Sequence, residues 1–318
     1  MQAFHGDAAE KTKLVESIRP RWVAGQLLPA TILKFDTENK LFSLGGALAN
    51  TQDIDVFVAT TGIPHELAML CEALVSAGVE LVTEAGPPPT FALKGADKVL
   101  SFGVEWLDAI RPGADLSDVV PQFMARFMEC VLSPAFPLAS HIEPQAREIA
   151  GRILGYWRQE LAGETVDGKT WRAVRKAATE ASATLTDPWC FFFGDLLEAL
   201  AWPVRGLGGE FVALYRSFAI VWTGIVQRPY LDPEDQENQV LSSKGWRLVA
   251  KVSKESGDDE EAVQRALDAA PGEKRALMSV GDPVVRARLR AGKLCAQEVT
   301  GDVVREQMDE LLELIKSV

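Results

Sequence analysis

The residues whose types and spacing best suit chemistry lie in Leu41–Val58, LFSLGGALANTQDIDVFV. A Gly45-Gly46 pair follows one strand-like run, and Asp53-Ile54-Asp55 heads another. Residues two positions apart on a strand point to the same face, so Asp53 and Asp55 would stand side by side. Such a pair offers the oxygen donors that a hard divalent cation, Mg²⁺ or Mn²⁺, prefers. The alternative is a surface strand with both acids outward and Ile54, Val56 and Val58 inward.

The arrangement resembles the signature of the nucleotidyltransferase superfamily. In that family a strand leads into Gly-Gly or Gly-Ser, a short linker follows, and an Asp-x-Asp pair on the next strand binds metal. A third carboxylate comes from a later strand. The resemblance implies nucleotide binding at Gly45 and Gly46, metal binding at Asp53 and Asp55, and a catalytic set of Asp53, Asp55 and Glu80, the last within Val79-Glu80-Leu81-Val82. Glycines would let the backbone approach a triphosphate, and the third carboxylate would complete a two-metal site or act as base. Only six residues separate Gly46 from Asp53, which leaves hardly any room for the helical turn that normally follows the glycines.

Other motifs carry weaker chemistry. Gly163–Thr170 fits GxxxxGK[ST], but a phosphate loop must follow a buried strand, and Ile153–Leu161 before it is helical by period. The expectation is a turn between helices, with Asp167-Gly168 in the turn and Thr170 as N-cap. His5 near Asp7, His65 before Glu66 and His141 near Glu143 are candidate general bases. Cys71, Cys130, Cys190 and Cys295 lie far apart and form no CxxC, so small buried thiols in a reducing compartment are expected. Arg286, Arg288, Arg290 and Lys293 form a basic cluster expected to pair with acids.

The elements that must position these residues are read from periodicity and punctuation. Residues 8–28 predict a helix, 31–35 and 41–48 a hairpin across Asp36–Lys40, and 54–59 a third strand. A helix opens after Thr61-Gly62-Ile63-Pro64 and runs to about Ala77, followed by a strand at 79–83, a rigid loop at Gly86-Pro87-Pro88-Pro89, and a hairpin over 91–93 and 98–102. Beyond residue 103 helical spacing takes over. Helices are expected up to Leu132, over 143–161, 170–185 and 210–226, and after Asp187-Pro188, Asp232-Pro233 and Asp282-Pro283. Trp171, Trp189, Trp202 and Trp222 are expected in the core. Val304, Met308, Leu311, Ile315 and Val318 form one stripe, read as a core-facing face or, alternatively, a dimer seam.

Residues 1–180 also resemble an uncharacterised family of bacterial and phage-associated proteins. The likeness rests on Phe4-His5-Gly6-Asp7 with Lys13, on Thr61-Gly62-Ile63-Pro64 with Leu67-Ala68, and on Leu107-Asp108-Ala109-Ile110 followed by Gly113–Ser117 and the helix near Trp171. Positions that carry thiol chemistry near that family's second strand correspond here to Phe42, Gly46 and Ala49, so the resemblance implies no thiol activity and brings no other activity with it.

The fold class that follows is mostly α with a small N-terminal α+β unit carrying a short mixed or antiparallel sheet. Three parts are expected: 1–112 as that unit, 113–228 as a helical body, and 229–318 as a charged helical subdomain. With 318 residues, 47% hydrophobic and 25% charged, the chain has the composition of a packed globule. A net charge of −12 argues against non-specific nucleic-acid binding, which needs surplus Lys and Arg. The polar N-terminus MQAFHGDAAEKTK has no apolar signal core, and the longest uncharged runs fall short of the roughly 20 residues of a membrane span. The expectation is a cytoplasmic interaction or assembly protein of a phage or mobile element. It would act on a protein partner or on itself, with no membrane and no cofactor. The alternative is a metal-dependent nucleotidyltransferase, the one reading that calls for Mg²⁺ or Mn²⁺.

Overall fold

Asp7 starts the first helix by accepting the backbone N–H of Ala9 and Glu10, and α1 runs over Ala8–Val23 with Pro20 near its end. The computed structural model describes residues 2–84, 90–279 and 281–318. A minimal antiparallel hairpin follows, β1 (Phe35–Asp36) on β2 (Leu41–Phe42), with Phe35 opposite Phe42. Three helices come next: α2 (Leu44–Ala49), α3 (Ile54–Thr61) and α4 (His65–Gly78). A second antiparallel pair joins β3 (Val79–Glu84) to β4 (Thr90–Gly95), with Leu81 opposite Leu93.

From there the chain is helical. The body contains α5 (Asp97–Ala109), α6 (Val119–Leu132), α7 (Pro144–Leu161), α8 (Gly168–Thr184), α9 (Phe191–Leu200) and α10 (Phe211–Gln227). A charged layer is built from α11 (Pro233–Ser256), α12 (Glu260–Asp268), α13 (Pro271–Ser279) and α14 (Pro283–Cys295). The last helix, α15 (Gln297–Ser317), returns to the body and packs on α4, α5, α6 and α10. The fold is therefore mostly α, with two short antiparallel hairpins in the N-terminal part.

The core is one apolar cluster that runs from Ala3 and Phe4 to Ile315. Its centre is aromatic: the Phe127 and Tyr215 rings meet edge-on at 4.8 Å, and Phe193 and Phe218 lie 5.0 Å apart. The stripe of α15 is core-facing, since Val304, Met308, Leu311 and Ile315 are fully buried. Polar ties reinforce it: the Arg305 guanidinium donates to Glu105 at 2.7 Å, and Arg126 pairs with Glu310. The layer is packed more thinly. In α12 and α14 no residue is fully buried, and in α13 only Ala276 is. A buried carboxylate anchors it, because Asp235 of α11 receives both forks of Arg288 of α14 at 2.7 and 2.6 Å.

Several local expectations give way to tertiary packing. Residues 54–59 form the helix α3, not a strand. Ile54 and Val56 are 44% and 47% exposed while Phe57 and Thr61 are fully buried, the i, i+4 pattern of a helix. Residues 44–49 are likewise helical, so the first hairpin shrinks to two residues a side. Lys98–Phe102 lies inside α5, and β4 pairs with β3 instead. The expected loop at Gly86–Pro89 lies outside the described residues. Asp167 caps α8, accepting the N–H of Lys169 and Thr170 and the Thr170 hydroxyl, which takes the capping role from Thr170. Trp202 is 45% exposed and stacks under Arg175 rather than entering the core; Cys295 is exposed. Arg288 and Lys293 are paired with acids, as expected for that cluster.

Candidate functional site

The glycine pair and the paired acids serve the backbone. Ser43 caps α2, its Oγ accepting the Gly46 N–H at 3.1 Å, while the Gly45 N–H donates to Glu72 Oε1 at 2.8 Å. Both amides that would face a phosphate are thus already used. Glycine is required at Gly46 because a Cβ there would lie 2.2 Å from the carbonyl oxygen of Lys34. Asp53 is the N-cap of α3 and accepts the Val56 N–H at 3.0 Å. Asp55 sits in the first turn of the same helix, where residues two apart do not share a face. Glu80, on β3, forms an ion pair with Lys293 of α14 at 2.5 Å. Among the described residues no three His, Cys, Asp or Glu side chains are grouped to hold a metal ion. The residues that would carry Mg²⁺ chemistry do not fit that role in this arrangement.

The histidines are engaged locally. His141 Nδ1 lies 2.9 Å from Asp187 Oδ2, His65 Nδ1 lies 3.1 Å from Glu66, and His5 Nε2 lies 3.3 Å from the Thr60 carbonyl. Near the His141–Asp187 pair, Glu143 accepts the N–H of Thr186 and Asp187 at 2.6 and 2.7 Å. Burial pushes the Cys190 thiol up to about 11, which favours its protonated form.

Glu72 is the carboxyl that sequence reasoning missed. It sits fully inside α4, with Oε1 on the Gly45 N–H and Oε2 on the N–H of Ala30 at 2.9 Å and Leu44 at 3.3 Å. Burial pushes it up to about 8, against the opposing pull of those three donors. It ties the Pro29–Ala30 segment and the start of α2 to α4. Its signal is a lone acid in the apolar run LAMLCEALV.

A cleft of about 540 Å³ lies between body and layer. Its walls come from the end of α4, from β3 and β4, from α10 and α11, and from the facing turns of α13 to α15. Trp189, Ile220, Val221 and Leu289 supply apolar surface. Arg216 of α10 lines it and donates through Nε to Ser76 Oγ at 2.7 Å. Glu80 and Lys293 line it as their ion pair, and Asp235 as the partner of Arg288. Two lining residues hold buried polar atoms without a hydrogen-bond partner, Thr300 at Oγ1 and Gln239 at Oε1.

Among the described residues no single helix is long and apolar enough to cross a membrane. No family model, curated protein or solved structure matches this chain.

Proposed function

We propose that this chain is an interaction protein, and that its charged layer α11–α14 is the face that meets a protein partner, either a second copy or another chain. The observation that supports the reading is the exposure of large apolar side chains on that layer. Met278 of α13 is 68% exposed and Val284 of α14 is 73% exposed, on helices with almost no buried residue of their own. Isolated exposed apolar residues are ordinary. A layer that contributes little to the core and still carries them is suited to binding. Within the layer the Arg288–Asp235 fork ties α14 to α11, and the Lys293–Glu80 pair ties α14 to β3 outside it.

The test compares the full chain with the double variant Met278→Ser, Val284→Ser in sizing and in affinity capture. The expected result is self-association, or a retained protein, that the variant loses while keeping the wild-type melting temperature. A strictly monomeric chain whose captured proteins are the same for both forms overturns the reading.

A further inference from the structure

We propose that the cleft between body and layer is a binding site for a small amphipathic carboxylic acid, with Arg216 holding the carboxylate and the apolar walls holding the body of the molecule. Its volume of about 540 Å³ falls in the range of small-molecule sites, roughly 300–1,000 Å³. Its lining mixes apolar side chains with charged and hydrogen-bonding ones, as an amphipathic ligand requires.

Charge decides the class of ligand. The ionisable groups on the lining are Glu80, Lys94, Arg216, Asp235 and Lys293. Glu80 and Lys293 neutralise each other, and Asp235 is taken by Arg288. Arg216 and Lys94 form no ion pair with any described residue. In a chain of net charge −12, the unmatched charge in this cleft is positive. The Ser76 bond fixes the Arg216 side chain through Nε alone, and its two Nη groups have no described partner. That leaves the forked end available for the bidentate contact that suits a carboxylate. Trp189, Ile220, Val221 and Leu289 favour a hydrocarbon or aromatic body over a phosphate ester, which would ask for more fixed donors.

A second, independent observation points to a ligand. Thr300 is 2% exposed, lines the cleft, and its Oγ1 has no hydrogen-bond partner; the buried Oε1 of Gln239, another lining residue, has none either. Buried polar atoms are paired in nearly all native structures, so two unpaired ones on the lining of one cavity mark groups that a hydroxyl or amide on the ligand would satisfy. Because the walls come from both body and layer, a bound acid would also fasten the two together.

The experiment titrates the full chain with dodecanoate, its methyl ester, naphthoate and dodecyl phosphate, reading tryptophan fluorescence, since Trp189 and Trp246 line the cleft. The variants are Arg216→Gln, Arg216→Lys and Ile220→Trp, the last narrowing the cleft from a partly exposed position. The expected result is saturable binding of at least one carboxylate, about tenfold or more tighter than the ester. Arg216→Gln removes that preference, Arg216→Lys restores part of it, and Ile220→Trp weakens acid and ester alike. Should Arg216→Gln fail to fold, the ester comparison and Ile220→Trp still decide. Equal affinity for acid and ester, tighter binding of the phosphate, binding indifferent to Ile220→Trp, or no saturable binding of any carboxylate each overturns the proposal.

Discussion

Replacing Glu72 by Gln isolates the energetics of the buried carboxyl. In the wild type, one oxygen meets Gly45 N–H at 2.8 Å and the other meets Ala30 and Leu44 N–H at 2.9 and 3.3 Å. Glutamine keeps one acceptor but turns an NH₂ toward donors on the other side. At least one buried N–H is then left unmade, at a cost of about 1–3 kcal/mol. The pH dependence gives the sharper test. Glu72 is raised from an ordinary 4.5 to about 8 in the fold, so folding takes up a proton between those values. A raised folded value means that the stabilisation is fully present below the unfolded pKa and is lost as pH climbs through the folded one. Wild-type stability should therefore fall by about 1.4 kcal/mol per pH unit in that window, or about 3–4 kcal/mol between pH of about 5 and about 8. Glu72→Gln lacks this loss. Urea denaturation of both forms across that window should show the wild-type advantage widest at the acid end and shrinking toward the alkaline end. Parallel profiles would refute the reasoning. An advantage that grows with pH would refute it more strongly, because Glu72 would then be folding as a carboxylate held by its three amides.

Two further substitutions test the neighbouring elements. Gly46→Ala should destabilise by several kcal/mol in the same assay, at the upper end of ordinary single substitutions, because its Cβ would meet the Lys34 backbone, which cannot yield as a side-chain tip can. Asp53→Ala should cost about 1 kcal/mol through loss of the α3 cap, and Asp55→Ala a few tenths at most; in thermal melts with Mg²⁺ or Mn²⁺ alone, both variants should respond to metal as the wild type does.

The long helices were readable because apolar residues recur at helical spacing for four or five turns, as in Pro144–Leu161 and Phe211–Gln227. The stretch 54–59 was not, because six residues rich in Ile and Val fit a period of 2 as well as one of 3.6. What selects the helix is the Asp53 cap and the burial of Phe57 beneath it, a tertiary fact. Gly45-Gly46 was legible as a place where backbone comes close to something, and illegible as to what: the close neighbour is the chain itself, at Lys34. The return of α15 to the N-terminal helices was equally hidden, since its stripe fits a core and a dimer seam alike until its partners α4, α5, α6 and α10 are known.

Glu72 and Arg216 make the same point from opposite sides. Each is a lone ionisable residue within an apolar stretch, Glu72 on α4 and Arg216 on α10. Glu72 is used inside the protein: both oxygens are met by amides from Ala30, Leu44 and Gly45, and the segments it gathers are its own fold. Arg216 is met only at Nε, by Ser76, and lines a cleft in which Glu80 and Lys293 are paired with each other and Asp235 with Arg288. The difference lies in saturation rather than residue type. A buried or half-buried ionisable group whose polar atoms are all met from within belongs to the architecture. One fixed at a single atom, with its remaining directions turned over to a cavity, is held ready for a molecule that the chain itself does not supply.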